Sequence, residues 1–247
     1  INRDPSRVWN TLKCDTDARL AEAAKISGGC KIVKAEDAVA LLEAVIRPYD
    51  RVNIEGDNQK QADFLAQCLS AVNPAKIHDL HMVQSVLALP EHVDIFEKGI
   101  ARKLDFAYCG PQSGRIPELL MSGKMELGAI HTYLELYGRY FCDLTPRVSL
   151  LVAEAADTQG NLYTGFGTED TPTIAEATKF RQGIVIVQVN EIMEKLPRVD
   201  IPADFVDFVV KSPKPYYIEP LFTRDPAKIT DARVLTAMMT IKGIYAE

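Results

Sequence analysis

Hydrophobic residues along this chain form short extended runs that alternate with segments of helical spacing, and residues 52–72 show the pattern most clearly. An extended run at residues 52–55 ends at Gly56. From Lys60 onward the apolar positions recur at helical intervals and form one stripe, which consists of Phe64, Leu65, Cys68, Leu69 and Val72. The pattern predicts a strand, a polar turn and a helix whose free N–H groups face the end of the strand.

The predicted turn after Gly56 consists of Asp57, Asn58 and Gln59. Glycine permits a sharp turn that a residue with a Cβ would resist, and Asn58 with Gln61 three residues later resembles a capping box. Unpaired N–H groups at a helix N-terminus attract anions and polarised carbonyl oxygens. Two interpretations therefore stay open: a site for a carboxylate or a thioester oxygen, or a well-capped turn without a ligand.

Similar patterns recur along the rest of the chain. Further helices are predicted at residues 9–26, 35–46, 91–101, 116–121, 173–178 and about 225–241. Further strands are predicted at residues 77–83, 104–109, 125–130, 148–153, 162–164, 183–189 and 206–210, with residues 162–164 returning as a hairpin strand. Strands that alternate with helices at this spacing indicate βαβ units. The sequence thus predicts an α/β fold, with a mostly parallel sheet and helices on both faces.

Ligands of parallel sheets bind outside the carboxyl ends of the strands, and four predicted strands end in glycine and hydrogen-bonding residues. We predict that these ends converge on one cleft. Gly56, Asn58 and His131 are the candidates for catalysis. The candidates for substrate binding are Asp57, Gln59, Gln84, Ser85, Gly110, Gln112, Thr132 and Tyr133.

Each candidate has a chemical role and a plainer alternative. Backbone N–H groups after Gly56 could hold an oxyanion, and loss of one such donor in acyl-transfer sites costs roughly 2.7 to 4 kcal/mol. His131 could bind a carboxylate or transfer a proton, or it could bond to a neighbouring carbonyl. Gln84 and Gln112 could orient a polar substrate or face water. Asp170, in the predicted loop at residues 165–172, is expected to be an ordinary solvated charge, like Glu169.

Composition excludes several classes of protein. The 247 residues are 47% hydrophobic and 25% charged, which is ordinary for a soluble globular protein and is sufficient for one large domain. A net charge of −6 argues against a nucleic-acid surface. We expect a cytoplasmic protein because no apolar run is long enough for a membrane helix and the first residues do not resemble a signal peptide. The five cysteines lack a C-x-x-C pair and are expected to be reduced.

No metal site is expected from the sequence. His78 and His81 have the spacing of a metal-binding pair, but residues three apart in a strand point to opposite faces of the sheet. No Ser-His-Asp order or phosphate loop can be assembled either.

Several motifs carry a resemblance that extends over essentially the whole chain: GDNQKQADFL, HDLHMVQSVLALPEH, GAIHTYLELYGRYFCDLTPRV and TEDTPTIAEATKF. They closely resemble the alpha subunit of malonate decarboxylase, a family that is similar to family I coenzyme A transferases and to the citrate lyase alpha subunit. The resemblance implies a CoA-transferase-like (Rossmann-like) domain and a transferase that exchanges acetyl for malonyl on the thiol of an acyl carrier protein.

The resemblance also implies the partners. They are the acyl carrier protein, the other malonate decarboxylase subunits, and malonate. No tightly bound cofactor is implied, since the acyl group is attached to the carrier's phosphoribosyl-dephospho-coenzyme A arm. A citrate lyase-like or general coenzyme A transferase, and a non-catalytic domain that docks the carrier, stay open as alternatives.

Two departures from the family pattern change what is expected. Coenzyme A transferases form their oxyanion hole with a glycine-rich turn, whereas this chain keeps only Gly56 and follows it with Asp57, Asn58 and Gln59. That role is therefore carried over to the position and not to matching residues. The resemblance implies a subunit about twice this long, and the catalytic glutamate of coenzyme A transferases lies in the second half. The chain is therefore expected to be the first domain of a longer polypeptide.

Overall fold

One sheet organises the fold, and its strands are β1 (Ile32–Val33), β2 (Arg51–Ile54), β3 (Leu80–Val86), β4 (Ala101–Tyr108), β5 (Glu126–Ile130), β6 (Val148–Asp157), β7 (Leu162–Tyr163), β8 (Ile184–Met193) and β9 (Phe208–Lys211). The structure is a computed structural model that describes residues 11–56, 60–108, 110–165, 170–218 and 226–246. Within these ranges the strand order is β1-β9-β8-β6-β2-β3-β4-β5. All pairings along this order are parallel, and β7 pairs antiparallel with β6.

The helices are α1 (Thr11–Ser27), α2 (Ala38–Val45), α3 (Asp63–Ser70), α4 (Glu91–Glu97), α5 (Ile116–Met121), α6 (Tyr133–Tyr140), α7 (Thr171–Phe180) and α8 (Asp231–Tyr245). Short 3-10 turns cover Ala35–Asp37, Gly110–Gln112, Ala203–Phe205 and Pro226–Lys228. None of the helices within the described ranges is both long and apolar enough to cross a membrane.

Two hydrophobic cores cover the two faces of the sheet. On one side, which we call the α3 face, strand residues such as Ile54 and Met82 pack with α2, α3, α4 and α5. On the other side, the α7 face, residues such as Val83 and Leu151 pack with α6 and α7. Strands covered on both faces are apolar at nearly every position, which explains why β6 and β8 begin with almost wholly apolar runs. The predicted α/β fold is confirmed.

The chain divides into two compact units, Ile1–Tyr217 and Ile218–Glu247. The first contains the sheet and the helices that cover it. The second contains α8, whose N-terminus is capped by Thr230, because its side chain accepts a hydrogen bond from the backbone N–H of Arg233.

Several predicted elements have different bounds, and two were missed. The predicted strand at residues 77–83 is β3, which begins at Leu80. The predicted helix at residues 91–101 ends at Glu97, because Gly99 adopts a φ of 74° and Ala101 begins β4. The hairpin strand at residues 162–164 is confirmed as β7. The two missed elements are β1 and α6.

Candidate functional site

Gly56 lies at the carboxyl end of β2, where it forms an isolated antiparallel bridge with Gln61. A Cβ on Gly56 would overlap with Oε1 of Gln61 and would lie 3.4 Å from Cε1 of His92. A side chain at this position would therefore displace the Gln61 carboxamide and crowd His92. The bridge closes the turn that leads from β2 toward α3.

The N-terminus of α3 differs from the prediction. The helix begins at Asp63, three residues after Lys60, and its N-cap is Ala62 with no side-chain cap. The predicted capping box of Asn58 and Gln61 is therefore wrong. The backbone N–H of Leu65 donates to Oε1 of Gln188 at 3.0 Å, so a carboxamide from β8 occupies the N–H group predicted to face a ligand.

Gln84 is a buried carboxamide without a hydrogen-bond partner among the described residues. It pairs with Ile54 and Phe106 in the parallel register, and so points to the α3 face, on the side of the sheet that also carries His92. The residue is 0% exposed, and both Oε1 and Nε2 lack a partner. A buried polar group without a partner costs about 1 to 3 kcal/mol. Such an arrangement is typical of a group that binds a ligand.

His92 lies on α4 beside Gly56 and is fully buried. Burial lowers the pKa of His92 to about 4, although the backbone of Val86 acts in the opposite direction. The imidazole is therefore neutral at pH 7 and offers one N–H donor and one nitrogen acceptor. Gln84 and His92 thus place uncharged hydrogen-bonding groups on the α3 face near the end of β2.

A buried ion pair lies at the same edge of the sheet, on the α7 face. Nζ of Lys60 lies 3.4 Å from Oε1 of Glu55, and both side chains are 0% exposed. Thr171 at the start of α7 donates to Glu55 and accepts from Lys60. The backbone of Val152 completes the arrangement, since its N–H donates to Glu55 at 2.9 Å and its carbonyl accepts from Lys60 at 3.0 Å. The network fixes the turn on both sides of Gly56.

The structure contradicts the expectation that Asp170 is a solvated charge. It is 0% exposed and not a solvated charge, and it accepts hydrogen bonds from the hydroxyl groups of Ser85 and Tyr137. Sequence reasoning also missed Glu55, Lys60 and His92. Glu55 could have been found from the sequence, because it is a charged residue directly after a buried strand.

His131 and Gln84 both lie toward the carboxyl edge of the sheet, but on opposite faces. Nε2 of His131 bonds to Oδ1 of Asp105 at 2.8 Å, and Nε2 of His81 bonds to Oδ2 of the same carboxylate at 2.7 Å. Because Asp105 precedes Phe106 in β4, it points to the face opposite Gln84. Strand alternation thus separates two residues that were expected to converge.

The hydrogen bonds of His81 and His131 determine the charge state of Asp105. Burial opposes ionisation, but the hydrogen bonds from the two histidines outweigh it and lower the pKa of Asp105 to about 2. His78 pairs with its neighbour Asp79 at 2.8 Å. No group of three or more His, Cys, Asp or Glu that could hold a metal ion occurs in the described part of the chain.

The remaining candidates have varied surroundings. Thr132 is the N-cap of α6 and accepts from the backbone N–H of Glu135, and Tyr133 is 36% exposed beside Tyr137. Gln112 donates to the carbonyl of Ala88 at 3.4 Å.

Gly110 adopts a φ of 58°, and a Cβ there would lie 2.7 Å from the carbonyl oxygen of Leu87, so the end of β4 packs directly on the end of β3. Asp57, Asn58, Gln59 and Glu169 lie outside the described residues. The proposed roles of all these residues stay predictions.

Comparison with known proteins gives the family. Residues 8–247 match the family model described as malonate decarboxylase, alpha subunit, transporter. The acetyl-S-ACP:malonate ACP transferase of Malonomonas rubra is 63% identical over 241 residues, which cover 98% of this chain and 44% of that protein. The chain thus spans less than half the length of this relative.

Solved structures agree with this result. The alpha subunit of a malonate decarboxylase from Acinetobacter baumannii is 51% identical with a TM-score of 0.89, and the match covers 97% of this chain and 44% of that one. A Pseudomonas malonate decarboxylase hetero-tetramer in complex with malonate contains a chain that is 53% identical, also with a TM-score of 0.89, over 99% of this chain and 44% of that one.

A more distant structure confirms the fold alone. An acyl-CoA transferase from E. coli O157:H7 is 17% identical with a TM-score of 0.61, over 79% of this chain and 50% of that one. The predicted CoA-transferase-like architecture is therefore confirmed. On the family model and the 63% identical relative together, the chain belongs to the malonate decarboxylase alpha subunit family.

Proposed function

We propose that this chain contributes to an acyl-carrier-protein transferase that converts malonate and acetyl-S-carrier into malonyl-S-carrier and acetate. The observation that carries the proposal is the 63% identity, over 98% of the chain, to a relative named for that exchange. In the exchange the thioester bond between acetyl and the carrier thiol breaks, and a thioester bond between malonyl and the same thiol forms. The sulfur is thus conserved and acetate leaves.

The carboxyl edge of β2 and β3 supports this chemistry. A thioester carbonyl gains negative charge as it is attacked, and preorganised neutral donors stabilise that charge best in a site from which water is excluded. Nε2 of Gln84 is such a donor, and it is buried without a described partner. Gly56 carries no side chain, and an acyl group that approached its backbone would have to displace the Gln61 carboxamide. Neutral His92 adds a further polar group on the same face.

The acyl group reaches this edge on the carrier's phosphoribosyl-dephospho-coenzyme A arm, which acts as a substrate and not as a resident cofactor. The residues present fit the thioester end of that arm, because an unpaired carboxamide can donate to a carbonyl oxygen. The proposed partners are the acyl carrier protein and the other malonate decarboxylase subunits. The proposed compartment is the cytoplasm.

The experiment uses the protein that carries this sequence, purified and incubated with acetylated carrier protein and isotopically labelled malonate. Mass spectrometry of the carrier should show label entering the thioester, with one acetate released for each malonyl group bound. Carrier binding without label transfer would contradict the proposal and favour a docking domain.

A panel of acids tests the remaining alternatives. Malonate should be preferred over citrate, succinate and acetate as the acceptor. Equal rates for all of them would indicate a general coenzyme A transferase, and a preference for citrate would indicate a citrate lyase-like enzyme.

A further inference from the structure

The amino-terminal edge of the sheet, opposite the edge described above, carries a cavity of about 410 Å³. It lies where β2, β6 and β8 begin, and its lining includes Arg51, Cys142, Thr145, Arg147 and Arg181. The volume falls within the range of roughly 300 to 1,000 Å³ that is typical of small-molecule sites. Three arginines in one small cavity indicate an anionic ligand.

Both acidic residues of the lining form their salt bridges with arginines outside the cavity, although the charge of Asp143 still attracts Arg51. Asp50 pairs with Arg19, which is not part of the lining. Asp143 pairs with Arg139, whose Nε donates to it at 2.9 Å. Both carboxylates therefore have their charge compensated from outside the cavity.

The three arginines of the lining differ in whether they form a salt bridge with a carboxylate. Arg147 pairs with Asp15 at 2.5 Å. Arg51 and Arg181 form no salt bridge with any carboxylate in the described ranges of the chain. Two positive charges of the cavity are thus left without a carboxylate partner.

Arg51 is the more buried of these two arginines, and its surroundings are polar. Its Nε donates to Nδ1 of His81 at 3.3 Å, and one terminal nitrogen donates to the carbonyl of Thr145 at 3.3 Å. Burial lowers the pKa of Arg51 more than the negative charges of Asp143 and Asp105 raise it, and the charges of Arg139 and Arg181 lower it further. An anion placed between Arg51 and Arg181 would relieve their mutual repulsion.

Thr145 supplies an independent observation. Its Oγ1 is buried and has no hydrogen-bond partner among the described residues. Thr145 lines the cavity, and its hydroxyl group has hydrogen-bonding capacity that no described residue uses.

We infer that this cavity binds a small organic oxyanion of the carboxylate or phosphate class, held by Arg51, Arg181 and the hydroxyl group of Thr145. The ligand is a small molecule because a cavity of this size suits one. It is an oxyanion because a guanidinium group can donate two parallel hydrogen bonds to the oxygens of a carboxylate or a phosphate. The inference goes beyond the proposed acyl exchange, since these residues lie at the opposite edge of the sheet.

Cys142 provides a local measurement, because it is an exposed thiol in the lining. The rate of Cys142 alkylation by iodoacetamide would be followed by peptide mass spectrometry, with exposed Cys30 as the internal reference. Inorganic phosphate, succinate and neutral succinamide would be added in turn at constant ionic strength. Phosphate or succinate should slow alkylation of Cys142 but not of Cys30, with half-protection at about 1 mM or below, and succinamide should have no effect.

Variants separate the site from general charge effects. Arg181→Gln changes an exposed residue and should weaken half-protection at least about tenfold, and Arg51→Gln should do the same. Arg102→Gln removes the same charge from an exposed arginine outside the cavity and should leave protection unchanged. Protection by phosphate would identify the phosphate class, and protection by succinate the carboxylate class. Failure of both anions to protect, or equal protection in Arg181→Gln and the unaltered protein, would overturn the inference whatever the exchange assay shows.

Discussion

Nζ of Lys60 lies 3.4 Å from Oε1 of Glu55, and neither side chain is exposed to solvent. A buried pair of this kind contributes little net stability when complete, but loss of one partner leaves an uncompensated charge. Because the two residues flank the turn that contains Gly56, the pair ties the candidate site to the core of the sheet.

Lys60→Met should lower the free energy of unfolding by about 3 to 5 kcal/mol, because it leaves the buried Glu55 carboxylate unpaired. Urea denaturation measures the change. Lys13→Met, which removes an exposed pair with Asp17, should cost less than about 1 kcal/mol. Adding Glu55→Gln to Lys60→Met should recover part of the loss, and an additive double variant would contradict the coupling.

Gly56→Val should destabilise the protein by about 1 to 3 kcal/mol, because a branched side chain would overlap with Gln61 and crowd His92. It should also lower the rate of acyl exchange. Gly114 is a suitable control, since no heavy atom lies within 4 Å of a Cβ placed there. Equal thermal unfolding midpoints for Gly56→Val and Gly114→Val would show that the turn tolerates a side chain.

The fully buried His92 should make the protein sensitive to mild acid. Burial lowers its folded-state pKa from 6.5 to about 4, so the unfolded chain binds the proton more readily. The resulting stability is present above pH 6.5 and is lost as the pH falls toward 4, by roughly 3 kcal/mol in total. His92→Gln should remove this loss in pH-dependent urea titrations, whereas His78→Gln should retain it. A parallel decline in all three proteins would be evidence against the assignment.

Asp105 should affect the stability of the protein at lower pH than His92 does. Its pKa falls from 3.8 to about 2 because the hydrogen bonds from His81 and His131 outweigh burial. The carboxylate therefore contributes stability that is present above pH 3.8 and is lost as the pH falls through 2, on the order of 2 kcal/mol. Between pH 4 and 2, the free energy of unfolding should fall less in Asp105→Asn than in the unaltered protein. In the exposed variant Asp17→Asn it should fall as much as in the unaltered protein.

The sequence predicted the sheet well for a physical reason. Strands covered by helices on both faces must be apolar at nearly every position, so β6 and β8 begin as runs that are almost wholly apolar. The α6 helix was not predicted, because its sequence YLELYGRY contains Gly138 and several tyrosines, and both residue types are weak helix formers. Thr132, which is the N-cap of α6, is instead predicted from the sequence to bind substrate.

The candidate site was harder to predict because its side chains depend on distant partners. The start of α3 is set by Gln188, which is 123 residues from Leu65 in sequence. Asp170 is buried because Ser85 and Tyr137 bond to it, and His131 turns away from Gln84 because Asp105 lies on the other face. A pattern of hydrophobic positions locates the ends of strands but does not reveal which polar groups pair there.

Two buried glutamines allow a matched comparison of how a glutamine on a strand affects the free energy of unfolding. Both Gln84 and Gln188 are 0% exposed on strands. The Gln188 carboxamide accepts from Leu65 and donates to Asp63, whereas that of Gln84 has no partner among the described residues. Gln188→Leu should therefore cost about 1 to 3 kcal/mol, and Gln84→Leu should be neutral or stabilising. Equal destabilisation by urea denaturation would show that Gln84 has a structural role.

The rate of acyl exchange in Gln84→Leu measures directly whether Gln84 takes part in the exchange. Initial rates of label transfer from malonate to acetylated carrier would be compared with those of the unaltered protein, after circular dichroism has shown that both are folded. If Gln84 donates to the acyl group, the rate should fall by about 10- to 100-fold while stability is retained. An unchanged rate in a folded Gln84→Leu protein would contradict the account and place the exchange away from the carboxyl ends of β2 and β3.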